Sequence, residues 1–364
     1  GANAGVSVTT ATHNTLIGGL AGDALTTGAS NVAVGYGALT TEDVGQHNVA
    51  IGRDALSAQN TASAANIYNT AVGSSAGVSV TTGTRNTIIG GLAGDATTTG
   101  SYNAFVGYSS GSANTTASYN SALGDNSLVA NTTGASNVAV GQATLDANTT
   151  ASNNTAVGYS SLNKNTTGTQ HVALGAYSLD ANTTASNNTA LGYSSLGANT
   201  TGSNNVATGG YALSNNTTAS NNTAMGYNSL GANTTAGDNT AVGYASSTGN
   251  TTGSANTALG AYSLGDNTTG SYNVAVGRQA LKYNTTASNN TAIGYHSLQV
   301  NTTGANNTAV GRDALTANTT ASNNSAFGRH ALQANTTGTS NVAMGEGSLY
   351  TNTTGYFNVS LGAS

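Results

Sequence analysis

NNTAVGYSSLNKNTTGT (153–169), QHVALGAYSLDANTTAS (170–186) and NNTALGYSSLGANTTGS (187–203) follow one another along the chain, and their alignment decides the fold. The glycine in the sixth place of each recurs every 17 residues from Gly73 to Gly362. It recurs also at Gly18, Gly35 and Gly52, ahead of a four-residue insertion within 53–72. Residues 1–364 are therefore one tandem array of 21 units, and a period of this length is the mark of a solenoid. GVSVTTATHNTLIGGLAGDA (5–24) returns almost unchanged as GVSVTTGTRNTIIGGLAGDA (77–96), so blocks of several units were duplicated.

With the glycine as position 0, the residue at −4 is Asn in 20 of the 21 units, His171 being the exception. Position −2 is Ala in 17 units, and −1 is Val, Leu, Ile, Met or Phe everywhere but Thr208. Position +4 is Leu in 15, from Leu39 to Leu349. Asn, Thr and Gly are poor helix formers and no apolar stripe of helical spacing runs through a unit. Residues −4 to +1 alternate instead, as a strand does, while NTTG or NTTA supplies turns. The chain is predicted to be all-β, a parallel β-solenoid (β-roll) of about 21 coils. Positions −1 and +4 are expected inside each coil, with Ala and Gly on a face for close packing against another strand or subunit. At about 4.8 Å per coil the array would be a rod of about 100 Å, with Asn ladders bonding coil to coil.

Composition removes several alternatives. Only 5% of residues are charged, where about 25% is usual, and Pro, Cys and Trp are absent. Disordered chains carry more charge and fewer apolar residues at fixed positions. Twelve acids and seven bases, for a net charge of −5, supply no basic stripe for nucleic acid and no polybasic membrane anchor. No run of about 18 apolar residues suggests membrane insertion. The start, GANAGVSVTT, lacks a leader's basic and apolar regions and reads as a mature or excised segment. The absence of thiols suits an extracellular setting. Two apolar positions in 17 are few against the entropy of ordering a coil, so ladder hydrogen bonds and a homo-oligomeric partner are expected to add stability, most simply in a trimer.

Units such as NNTAVGYSSL and SNVAVGQATL resemble the NSVAIG-type motif of trimeric autotransporter adhesin heads, the YadA-like left-handed parallel β-roll. They are also similar to the 17-residue NTALGYxALxxNTTGxN arrays of phage tail-fibre and bacterial surface proteins. The resemblance spans nearly the whole chain. It implies a left-handed, trimeric, non-catalytic fibre or adhesin head, extracellular on a cell surface or virion, that attaches to a host-cell, matrix or glycan surface. Autotransporter repeats are shorter, and no neck, stalk, barrel anchor or chaperone-like domain accompanies the units here. A structural extracellular filament or spacer remains the alternative, with ice binding by threonine files a third reading.

No catalytic constellation, cofactor site or metal site is predicted. His13, His47, His171, His296 and His330 fall at different unit positions, and Asp146, Asp180 and Asp313 stand singly. His171 reads as a hydrogen-bonding stand-in for a ladder Asn. From about residue 107 onward the units contain NTT, formally a glycosylation sequon, at Asn114, Asn131, Asn148, Asn165, Asn182, Asn199, Asn216, Asn233, Asn250, Asn267, Asn284, Asn301, Asn318, Asn335 and Asn352. A turn ladder explains the same residues without sugar. Tyrosine follows the glycine at Tyr36, Tyr108, Tyr159, Tyr193, Tyr227, Tyr244 and Tyr295, and moves one place on at Tyr177, Tyr211 and Tyr262. Its apolar ring and polar hydroxyl suit contact with sugars or proteins, beside the plainer role of packing each coil's rim.

Overall fold

The computed structural model of the chain describes residues 1–363 and forms two compact units, Gly1–Ser186 and Asn187–Ser364. Each unit is a parallel β-solenoid. The first holds ten three-residue strands, from β1 (Thr15–Ile17) to β10 (Val172–Leu174); the second holds eleven, from β11 (Thr189–Leu191) to β21 (Val359–Leu361). Every strand covers positions −3 to −1. Within each unit a strand pairs with its counterpart in the next coil, as Val138-Ala139-Val140 does with Thr155-Ala156-Val157. The helical reading rejected from the sequence has no counterpart among the described residues.

The facing of the strands differs from the sequence expectation. Ala at −2, not the aliphatic at −1, points into the coil: Ala156 and Leu162 are fully buried, whereas Val157, the last residue of its strand, is 37% exposed. The reason is steric. The coil is so thin that Leu at +4 crosses it and reaches the strand opposite, leaving room there for one methyl group. The outward face of the sheet consequently carries −3 and −1.

Three coils test that account. Leu16, Ile88 and Phe105 replace Ala at −2, and the same coils carry glycine at +4, namely Gly22, Gly94 and Gly111. A Cβ on Gly111 would lie 2.6 Å from the Phe105 ring, and one on Gly22 would lie 2.8 Å from Leu16. Volume withdrawn from one wall is thus supplied by the other. In the coil of Gly243 the +4 residue is Ser247, buried, with its hydroxyl unpartnered.

The turns explain two residue choices. The glycine at position 0 has φ between +126° and +140°, and a Cβ on Gly158 would come within 2.6 Å of the Gly175 carbonyl in the next coil. All 15 leucines at +4 sit in the left-handed region, with φ from +50° to +56°. A β-branched residue is strongly disfavoured there, which is why the position holds Leu, Gly or Ser but never Val or Ile.

Two asparagine ladders run inside each unit. At −4, the Asn137 backbone N–H donates to Asn120 Oδ1 (2.9 Å) and its Nδ2 donates to the Ala151 carbonyl (2.9 Å). At +7, Asn165 Nδ2 donates to Asn148 Oδ1 (3.0 Å) and to the Gly168 carbonyl (2.9 Å). The four-residue insertion leaves this frame intact: residues 62–64 are exposed, while Ile67 is buried and Val49-Ala50-Ile51 still pairs with Thr70-Ala71-Val72.

Candidate functional site

Since the interior is filled by the repeat, any recognition chemistry lies on the outward columns, where equivalent residues of successive coils stand about 4.8 Å apart. The sheet face presents a column of −1 side chains. Ile17 (58% exposed) and Leu123 (51%) are its most open members in the first unit, and Leu259 (47%), Met344 (46%) and Met225 (44%) are its most open in the second ahead of the last strand.

The corner at +1 and +2 carries the ten tyrosines picked out in the sequence, and the seven at +1 are all exposed. Tyr36 and Tyr108 stand apart, each with its ring over the small residue of the preceding coil, Gly19 or Gly91. Tyr159 meets Tyr177 edge to face at 5.3 Å. In the second unit Tyr193, Tyr211, Tyr227, Tyr244 and Tyr262 form an unbroken run across five coils, with ring centroids 5.4 to 5.8 Å apart. Rings at +1 lie perpendicular to rings at +2, and Tyr227 and Tyr244, both at +1, stack. The Tyr262 hydroxyl beside it pushes the Tyr244 phenol above its ordinary value.

A second aromatic column, at −5, was not recognised in the sequence. His47 stacks on Tyr68 at 5.2 Å, Arg85 lies over Tyr102, and Tyr102 stacks on Tyr119 at 5.1 Å. These residues share position −5, and the signal was the unit alignment itself.

Tyr295 belongs to a charged stretch of the +1/+2 corner. Arg278 lies over its ring at 5.9 Å, and the adjacent His296 ring stacks on it at 3.6 Å. Asp313 stands between two histidines, 3.5 Å from His296 Nδ1 and 4.0 Å from His330 Nδ1, and accepts from Arg312 Nε at 2.9 Å. Arg329 pairs with Glu346. No group of three or more His, Cys, Asp or Glu side chains able to hold a metal ion occurs among the described residues.

The sequon asparagines are core residues. Asn114 to Asn335 at +7 are fully buried; Asn352 is half-buried. Their Nδ2 atoms, where a sugar would attach, donate along the ladder and to the carbonyl three residues on, as Asn318 Nδ2 does to Asn301 Oδ1 and Ala321 O. His171 fills its ladder place as expected, with its N–H on Asn154 Oδ1 (3.0 Å) and Nε2 2.7 Å from the Ala185 carbonyl, the acceptor an Asn would use. Of the paired threonines, the first donates its hydroxyl to the next coil, Thr166 Oγ1 to Thr183 O at 3.0 Å, and only the second is exposed. Burial raises the carboxyls of Asp95, Asp146 and Asp180, an effect that Lys164 partly offsets at Asp180.

No protein-family profile matches the chain, and no curated protein matches it.

Proposed function

We propose that the chain is a non-catalytic segment of an extracellular fibre or adhesin head, on a cell surface or virion. Copies associate side by side through the −3/−1 face, most simply as trimers, and the outward corners attach to a host-cell, matrix or glycan surface. One observation carries the reading: the sheet turns a column of Val, Leu, Ile, Met and Phe outward, coil after coil, although Ala at −2 occupies the interior. A continuous apolar strip of that kind is uncommon on a monomer and marks an interface. Its likeness to trimeric autotransporter heads and to tail-fibre arrays supports the same assignment.

Light scattering on the whole chain is the test of assembly, with Leu123→Thr, Leu259→Thr and Met225→Thr combined to blunt the column. Thr208 already occupies −1 in one coil, so the change suits the backbone. A native mass of three chains that falls in the variant is the expected result; a stable monomer before mutation overturns self-association. Binding to cell, matrix and glycan surfaces tests attachment. Long end-to-end rods that bind none of them would instead indicate a structural filament.

A further inference from the structure

We propose that the +1/+2 corner between Arg278 and Glu346 is a binding strip for an acidic polysaccharide, one bearing uronate or sulfate groups. The inference rests on the attachment reading above and names the ligand class of one corner. Parallel register assembles the strip from residues 17 apart. Position +1 of five successive coils reads Arg278, Tyr295, Arg312, Arg329, Glu346, and +2 reads Gln279, His296, Asp313, His330, Gly347. Backbone bonds lock the two columns together: Asp313 N–H donates to the Tyr295 carbonyl (3.0 Å), and His330 N–H to that of Arg312 (3.0 Å).

Charge singles out this corner. Three of the chain's seven basic residues, Arg278, Arg312 and Arg329, lie here and a fourth, Lys282 at +5, stands beside the corner, against two carboxylates, Asp313 and Glu346. Four minus two gives +2, so the rest of the chain, at −5 minus +2, carries −7. Arg278 and Lys282 face aromatic rings instead of carboxylates: the Lys282 ammonium donates to the Tyr283 hydroxyl at 3.0 Å, 4.4 Å from that ring, and lies 5.8 Å from the Tyr262 ring, where the tyrosine run ends. Arg312 and Arg329 remain about half exposed despite their pairings.

The partner's chemistry follows from spacing. An extended hexose chain advances by roughly the rise of one coil, about 4.8 Å, so sugars and coils keep step. Guanidiniums one or two coils apart suit a glycan with one charge per one or two sugars, and Arg donors suit carboxylate and sulfate. Duplex DNA, with a charge per about 1.7 Å, would meet too few cations and a net-acidic chain. The neighbouring rings pack on one another and leave no open slot for a base, while their rims and hydroxyls suit sugar hydroxyls.

The experiment titrates the full chain with hyaluronan and with heparin, using dextran, duplex DNA and phosphatidylserine vesicles for comparison. Both acidic glycans should bind in a salt-sensitive way. The combined variant Arg278→Gln, Arg312→Gln, Arg329→Gln should weaken binding by about tenfold or more. Arg53→Gln, which alters the same Arg–Asp pairing on a coil without neighbouring cations, should leave it unchanged. Unaltered circular dichroism and melting separate lost binding from lost fold. Equal binding of dextran, preference for DNA or vesicles, or indifference to the triple variant each overturns the proposal. Absence of glycan binding by the unaltered chain with cell attachment intact overturns the strip alone; absence of attachment to every surface overturns the parent reading.

Discussion

The exchange of volume between −2 and +4 is open to a double-mutant cycle at Phe105 and Gly111. Phe105 is fully buried, and its ring lies where a Cβ on Gly111 would come to 2.6 Å and one on Gly94 to 2.9 Å. Phe105→Ala alone empties that space and should cost about 3 to 5 kcal/mol. Gly111→Leu alone drives a side chain into the ring and should cost at least about 1 to 3 kcal/mol. Together they rebuild the Ala–Leu pairing seen at Ala156 and Leu162. The double variant should therefore lie within about 1.5 kcal/mol of the parent, a coupling of roughly 3 kcal/mol or more in its favour. A repeat array need not unfold in one step, so the readout is native-state hydrogen exchange. Its reporters are the amides of Ala104, Gly107 and Gly111, which bond to the coils on either side. Additive losses would refute the reasoning, as would a larger cost for Val106→Ala, at −1, than for Phe105→Ala.

Three further outcomes follow from the same geometry. Asn165→Ala removes two donated bonds and the one accepted from Asn182 Nδ2 at 2.8 Å, so local opening should become easier by about 2 to 4 kcal/mol. Thr167→Ala, on the exposed neighbour, should change it by less than about 0.5 kcal/mol. Expression in a host that glycosylates sequons, read by peptide mass spectrometry, should leave the buried +7 asparagines from Asn114 to Asn335 bare in folded chains, with occupancy limited to half-buried Asn352 and to exposed sequons outside the ladder such as Asn153 and Asn187; sugar at Asn165 in folded protein would contradict the ladder. Burial raises the folded Asp146 carboxyl, so the stability its protonation supplies is full below 3.8 and fades as pH rises through the elevated folded value. Asp146→Asn should then raise the thermal midpoint at neutral pH slightly and leave it unchanged near pH 3.

The period, the strand position, the ladders and the inward Leu were legible because 21 copies make each position its own alignment. The facing of −1 and −2 was not, since hydrophobicity alone assigns Val inward and leaves Ala with Gly on the opposite, close-packing face. The missing term was the thickness of the coil, and the sequence did contain its trace: Leu16, Ile88 and Phe105 each keep company with a glycine six residues later. Gly77 follows the same logic across coils, because a Cβ there would meet Ile88 of the next one at 2.9 Å. The restriction of +4 to Leu, Gly and Ser was visible too, but its cause is a left-handed backbone that composition does not reveal. The charged strip was hidden for another reason. Arg278, Arg312 and Arg329 look scattered until parallel register removes the 17-residue spacing between them.

Inward and outward departures from the consensus obey different physics. An inward change alters volume in a coil with no slack, so it persists only with a partner change, as at Phe105 and Gly111. An outward change at +1, +2 or −5 typically shifts stability by less than about 0.5 kcal/mol, so those positions can diversify without disturbing the coil. That is where the tyrosines, arginines and exposed histidines gather: the run from Tyr193 to Tyr262, the strip from Arg278 to Glu346, and the column of His47, Tyr68, Arg85, Tyr102 and Tyr119. Were these residues merely tolerated, their columns should mix freely from coil to coil. Instead each group occupies five successive coils, a length scale larger than a single coil's packing and the one that the proposed attachment of a chain along the columns requires.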